Sequence, residues 1–315
     1  MKVQTICVLG GTGFVGKHLV THLANQGRSV VVLTRHPQRH RELAVLPTVD
    51  LVGTNIGDPS ALEAQFAGCD ALINLVGILN GSETEFQALH ADLPRRVAEA
   101  CRKAGTPRLL HMSALNADPN GPSIYLRTKG QGLQAVMQTE GIHATAFCPS
   151  VIFGPDDSFF NRFATLLKLS PVIPLACPDA RFAPVYIGDV VDAFTLALED
   201  AATYGQTYEL CGPRVYTLKE LVEYTAQLIG HKRLIVGLSD GLAKLQARLF
   251  QHLPGQPFTM DNYNSMQRDS VCQTDGLAAL GITPHSVEAI MSRHFQHQDA
   301  RAYRLEAIRR QAGRQ

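Results

Sequence analysis

The chain has little that would mark a secreted, membrane-spanning or metal-bound protein. Its seven cysteines (Cys7, Cys69, Cys101, Cys148, Cys177, Cys211 and Cys272) are odd in number and include no C-x-x-C pair. That spacing implies reduced thiols and no disulfide framework. No apolar run approaches the length of a transmembrane helix, and the apolar start belongs to a strand and lacks a cleavage site, so a cytoplasmic protein is expected. The twelve histidines form no H-E-x-x-H and none stands at zinc-ligand spacing with a cysteine, so no metal is expected. Asp156-Asp157 is expected at a helix start. There is no G-x-S-x-G, no internal repeat and no low-complexity segment. Charge is scarce and balanced, with 29 Lys and Arg against 28 Asp and Glu. No global field therefore recruits nucleic acid or a membrane. What remains is an ordinary globular composition, 45% hydrophobic over 315 residues, enough for one large domain or two small ones.

The informative stretch is Thr5 to Gly27. Four apolar residues, Ile6 to Leu9, run into Gly10-Gly11-Thr12-Gly13-Phe14-Val15-Gly16, and apolar side chains at helical spacing follow. That is strand, glycine turn and helix. Glycines at 10, 13 and 16 allow a tight turn, a backbone bare enough for a pyrophosphate, and close helix-on-strand packing; the free amides and dipole at the helix start favour the phosphate charge. The spacing is G-x-x-G-x-x-G where the usual fingerprint is G-x-G-x-x-G. A second strand, Ser29 to Leu33, ends without the acidic residue that would hold the ribose hydroxyls of NAD. It is followed by Arg35-His36-Pro37-Gln38-Arg39-His40-Arg41. Arg35 suits bidentate pairing with the 2'-phosphate of NADP; the alternative is a solvated loop of surface arginines. NADP(H) is the expected cofactor, before NAD(H).

Further strands are expected at Val49–Val52, Ala71–Val76, Arg108–Met112 and Thr145–Cys148, alternating with helical patterns at Pro59–Ala67 and Glu83–Ala104. This rhythm means βαβ units and a parallel sheet. Asp58 follows the third strand in a loop that could meet the adenine. Tyr125 and Lys129 stand four residues apart at the start of a helical run, which stacks them on one face. There the ammonium is expected to stabilise a phenolate and lower the tyrosine pKa. Ser113, at the end of the fifth strand, could hold a substrate oxygen against that phenol.

In these residues the sequence resembles the short-chain dehydrogenase/reductase superfamily, in its extended or atypical branch. The matching motifs are GGTGFVG at 10–16, NLVG at 74–77, Ser113 in HMSAL, YLRTK at 125–129 and PSVIFGP at 149–155. The resemblance implies Tyr125 as acid/base, Lys129 as ribose contact and tuning residue, and Ser113 as substrate-orienting residue. It implies that Asn74, Val76 and Gly77 border the cofactor, with Pro149 and Val151 lining the nicotinamide. Over almost the whole length, through PSVIFGPDDSFFNRFATLL, RFAPVYIGDVVDAF and LPGQPFTMDNYNSMQRDSV, the chain is also similar to bacterial relatives of the nucleotide-binding accessory subunit of respiratory complex I. That second resemblance implies a retained NADPH and an association with complex I, quinone metabolism or the inner face of a membrane. Ala114-Leu115 stand where extended-branch dehydratases place an acid pair. The interval from Ser113 to Tyr125 is shorter than in sugar-nucleotide epimerases. Both departures argue against sugar-nucleotide chemistry and leave a plain reductase.

The expected architecture is a doubly wound parallel α/β sheet of Rossmann type over 1–155, to which 182–200 returns. Residues 156–181 and 201–300 would form a small C-terminal α/β lid and 301–315 a basic tail. Asp189 is expected to cap the buried helix that returns to the sheet, and Thr217 with Glu220 to form a capping box on a later helix. Leu242, Leu245, Leu249, Phe250 and Leu253 fall on one helical stripe, expected as packed core; the alternative is a contact with membrane, quinone or a partner. Arg293, Arg301, Arg304, Arg309, Arg310 and Arg314 make the tail basic: a solvated helix, or a contact for an acidic partner or lipid surface. Two functions follow, an oxidoreductase acting on a small-molecule carbonyl or alcohol, and a non-catalytic NADPH-binding accessory protein.

Overall fold

The computed structural model describes residues 3 to 292; the arginine-rich segment from Arg293 onward lies outside the described residues. The strands are β1 (Thr5–Leu9), β2 (Ser29–Thr34), β3 (Val49–Gly53), β4 (Ala71–Asn74), β5 (Arg108–Met112), β6 (His143–Pro149), β7 (Ile152–Phe153), β8 (Val172–Leu175), β9 (Arg181–Phe182), β10 (Val185–Tyr186), β11 (Thr207–Leu210), β12 (Tyr216–Thr217) and β13 (Leu234–Gly237). Seven of them form one parallel sheet in the order β11-β6-β5-β4-β1-β2-β3. The chain leaves β1 towards β2 but leaves β4 towards β5, so the winding reverses between two neighbouring strands. The carboxyl ends at this reversal are the position where doubly wound sheets bind nucleotides. Ile6 to Leu9 and all of β4 and β5 are buried, as a parallel sheet covered on both faces requires.

The helices are α1 (Phe14–Asn25), α2 (Arg41–Ala44), α3 (Pro59–Phe66), α4 (Glu83–Phe86), α5 (Leu93–Ala104), α6 (Ile124–Met137), α7 (Phe159–Leu169), α8 (Ile187–Ala197), α9 (Leu218–Leu228), α10 (Asp240–Phe250), α11 (Met260–Ser265) and α12 (Gly276–Ala279). Leu19, Val20 and Leu23 of α1 share one core with Val190, Phe194 and Ala197 of α8. α3 and α5 cover the opposite face through Leu62, Phe66, Leu93 and Val97. A separate core of Phe160, Leu167, Ile173, Leu221 and Val222 holds α7, β8 and α9 together. None of the helices among the described residues is long and apolar enough to cross a membrane.

Several local expectations change. The helical run from Glu83 to Ala104 is interrupted by a π turn at Gln87–Asp92. Pro94 has no N–H to give the His90 carbonyl, so the regular ladder fails at that point. The same carbonyl meets α6 at Gly132, where a Cβ would collide with it. Thr207–Leu210, placed with the lid from its sequence position, pairs with β6 as the seventh strand of the main sheet. Asp189 is not a cap: Tyr186 holds the cap position before α8, and the buried Asp189 carboxylate accepts from the His285 amide at 2.8 Å and pairs with its Nδ1 at 2.6 Å.

Two corrections are larger. Cys211 and Cys272 form a disulfide, their Cα atoms 5.9 Å apart across 61 residues of chain. Sequence spacing cannot show this pair, because the turn after β11 and the segment before α12 meet only in the fold. The stripe on α10 is not core. Ala243 and Ala247 are buried, while Leu242, Leu245, Leu249 and Leu253 are 47–59% exposed. Alanine lets α10 lie close to Tyr263 in a small core, and the leucines point the other way.

The Gly132 contact gives a direct test. Gly132→Ala forces the π turn and α6 apart and should cost about 1–3 kcal/mol of stability, read by denaturant unfolding; an unchanged midpoint would contradict the close contact.

Candidate functional site

The glycine turn closes against the neighbouring strand. Gly10 takes φ +77°, and a Cβ there would stand 2.9 Å from the Leu75 carbonyl carbon, so both conformation and space demand glycine. Gly13 opens α1 with no side-chain cap, which leaves first-turn amides free to bond an anion. Thr12, Phe14 and Val15 surround this start, and Gly16 is buried against the turn. The arrangement fits a pyrophosphate: a bare backbone, free amides and a helix dipole converge at the switch point.

Around this cradle, Arg35 is exposed directly after β2, next to the turn in the sheet order. Val76 and Gly77 follow β4, Ser113 follows β5, and Pro149 ends β6 with Val151 just beyond. All of them stand at the carboxyl ends of adjacent strands. Two residues also hold local structure. Asp58 caps α3, accepting from the Ser60 amide at 3.0 Å and its hydroxyl at 2.6 Å, and these bonds hold its carboxyl below the usual range. Asn74 is buried, with its Oδ1 taking the Val76 amide and its Nδ2 facing His111 Nδ1 at 3.3 Å. It shapes the loop after β4 from beneath.

Tyr125 and Lys129 enter on the first turns of α6. Lys129 is buried, donates to the Met112 carbonyl at 3.2 Å, and lies under Gly77, 3.1 Å from where a Cβ would be. Burial pushes its ammonium down to about 8. Ser113, also buried, donates weakly to the Lys129 carbonyl at 3.4 Å. Tyr125 keeps part of its surface exposed, yet desolvation, and then the nearby Cys148 and Asp261, push its phenol up to about 12. This corrects the expectation of a lowered tyrosine pKa. The lysine ammonium is bonded to the Met112 carbonyl, and every cause acting on the phenol raises it, burial first.

Three contributors were not visible in the sequence. His90, carried by the π turn, accepts from the Ile78 amide at Nε2 (3.0 Å). Its Nδ1 therefore carries the proton towards Thr128 Oγ1 at 3.3 Å. Its ring stands edge-on to Tyr125, centroids 5.4 Å apart. His111 is buried behind Asn74. Burial and then the Lys129 charge press both imidazoles down to about 3, so both are neutral. Asp261, on α11, accepts from the amides of Ile124 at 2.6 Å and Tyr125 at 3.1 Å, and so caps the helix that carries Tyr125 and Lys129. Ser265 adds a bond to Ser123, the N-cap of α6, at 2.8 Å. A proline four residues after His90 was the one available signal. Nothing in the sequence couples residue 261 to residue 125. Beside this helix start a cavity of about 550 Å³ lies between Asn80, Phe86, Arg127, His252, Gln256 and Met260.

The model of the NAD dependent epimerase/dehydratase family matches residues 6–211. Subunit 9 of the NADH dehydrogenase [ubiquinone] 1 alpha subcomplex of Mus musculus is 29% identical over 303 residues, covering 91% of this chain and 79% of that protein. Ceramide reductase of Caulobacter vibrioides is 31% identical over 241 residues, 75% of this chain and 74% of that one. Among solved structures, the dTDP-glucose 4,6-dehydratase DesIV of Streptomyces venezuelae, with NAD bound, aligns with a TM-score of 0.74 at 19% identity, over 95% of this chain and 98% of that one. That likeness is one of fold.

Burying Lys129 has a measurable cost. With the folded value near 8 and the ordinary value at 10.5, the penalty is fully present below pH 8. The unfolded chain holds the extra proton between those values, so stability rises with pH across that window. Lys129→Met should raise stability at pH 7 by about 1–3 kcal/mol and flatten the rise above pH 8. A destabilised variant would contradict the buried, costly amine.

Proposed function

The chain belongs to the NAD dependent epimerase/dehydratase family, and from that premise we propose that it binds NADP(H) and reduces a carbonyl group on a small-molecule substrate. The nicotinamide would supply the hydride that the reaction needs. Gly10, Gly13 and the first amides of α1 would hold the pyrophosphate. Arg35 would take the 2'-phosphate, Lys129 the ribose nearest the reacting ring, and Pro149 and Val151 the nicotinamide. The observation that carries the reading is placement: Tyr125 and Lys129 stand one turn apart on α6, tied to the end of β5 by the bonds from Ser113 to the Lys129 carbonyl and from Lys129 to the Met112 carbonyl. From there Tyr125 would pass its proton to the developing alkoxide. Ser113 would hold the same oxygen, and the cap from Asp261 keeps Tyr125 in place.

The similarity to a complex I subunit over 91% of the chain favours a second reading, a retained NADPH in an accessory protein of complex I, quinone metabolism or a membrane surface. Turnover separates the two. The purified protein should oxidise NADPH with some member of a panel of carbonyls and quinones. Tyr125→Phe should lower kcat by about 10²- to 10⁴-fold with NADPH affinity unchanged. Bound NADPH that no carbonyl or quinone oxidises would support the accessory role. Arg35→Ala should weaken NADPH by about tenfold or more and leave NADH unaffected; equal loss for both would remove the 2'-phosphate assignment.

A further inference from the structure

Twelve large hydrophobic residues are exposed among the described residues, and nine of them come from α7, β8, β13, α10 and the residue positions just beyond. Leu166 and Leu169 lie at the end of α7, the latter 78% exposed. β8 and β13 pair in parallel with Ile173, Leu175 and Ile235 turned inwards, which leaves Val172, Leu234 and Val236 on the outer face. β13 leads into α10, tied back to this ribbon by Gln246, which donates to the Pro174 carbonyl at 3.1 Å. There Leu242, Leu245, Leu249 and Leu253 repeat at helical spacing on the solvent side. Scattered exposed leucines are ordinary, whereas a continuous set on adjoining elements marks an interaction surface.

The charge around this face chooses the occupant. Residues 166–176 and 230–254 carry Lys168, Lys232, Arg233, Lys244 and Arg248 against a single acid, Asp240, in a chain otherwise balanced at 29 to 28. Asp240 is itself paired with Lys244 at 2.7 Å. Lys168, Lys232 and Arg248 are exposed, and none of the three is in an ion pair among the described residues. A second copy of this chain packed on the same face would set cation against cation, which disfavours self-association. An apolar stripe rimmed by unpaired lysine and arginine is complementary to the acyl and headgroup layers of an anionic lipid surface.

We propose that the face formed by α7, the β8–β13 ribbon and α10 docks on an anionic lipid bilayer. Gln251 and His252, just past α10, line the cavity beside Tyr125's helix. Docking on this face therefore brings that cavity close to the bilayer surface, where an amphiphilic substrate would be held. The surface itself stands whether or not the site turns over.

The full-length protein is sedimented with phosphatidylcholine vesicles, with and without phosphatidylglycerol, at low and high salt. NADPH binding is measured in parallel on every sample. The expected result is co-sedimentation with the anionic vesicles, weakened by salt. Leu245→Glu/Leu249→Glu should reduce it about tenfold or more, and Arg248→Glu should weaken binding to anionic vesicles, with NADPH affinity unchanged in both. Wild-type protein that stays in the supernatant at low salt overturns the proposal. So does undiminished pelleting of the leucine variant, which would place the contact elsewhere, the arginine-rich segment beyond Ser292 included. A dimer that the leucine substitutions dissociate, without vesicle binding, overturns it in favour of self-association. NADPH binding with no vesicle binding removes the docking face alone; the converse removes the nucleotide reading alone.

Discussion

One buried amine governs the arrangement of this site. Lys129 stands where water is excluded, between the end of β5 and the loop after β4, and its only protein acceptor among the described residues is the Met112 carbonyl. The same exclusion of water acts on its neighbours. His90 and His111 are neutral first because they are themselves buried, and then because the ammonium is beside them. The lowered pKa of Lys129 itself and the raised pKa of Tyr125 both trace to the same exclusion of water. Folding alone gives no reason to put an ammonium there, since an apolar side chain of similar size would pack at less cost. On the proposed function the amine has a reason to be there, since a ligand above Gly77 would bring hydroxyls for it to meet.

The helix bearing Lys129 is fixed from two sides. Beneath it, the interruption at Pro94 turns the His90 carbonyl outwards, and only a residue without Cβ at 132 lets α6 settle on it. At its start, the Asp261 carboxylate and Ser265 close over the first turn. The segment supplying them is laced onto the sheet domain elsewhere too. Ser150 bonds Ser270, Asn116 bonds the Asp269 carbonyl, Arg268 pairs with Asp118, and Cys272 is bonded to Cys211. The C-terminal region therefore forms part of the frame that sets Tyr125, as well as the wall of a pocket.

The sheet was legible because its signals are local. Ile6–Leu9 running into Gly10 is strand and turn by composition alone, and the alternation that follows leaves few topologies. The shared helical placement of Tyr125 and Lys129 was legible because their spacing is one helical turn. The site was illegible where the partners are far apart in sequence. Asp261 reaches Tyr125 across 136 residues and Cys211 reaches Cys272 across 61, with no spacing rule to link either pair. The α10 stripe failed for a different reason. Periodicity shows that four leucines share a side of a helix, but not which side the protein buries. Two alanines at 243 and 247 fit the narrower gap and took the inner face.

The cap on α6 also bears on the order of assembly during synthesis. The ribosome releases the sheet strands through β6, and the whole of α6, long before Asp261 emerges. Until then the first amides of α6 face solvent and the turn holding Tyr125 lacks its carboxylate. A nascent chain thus has its glycine turn and first helix in place while the start of α6 is still unanchored, so the Tyr125 end of the site matures last.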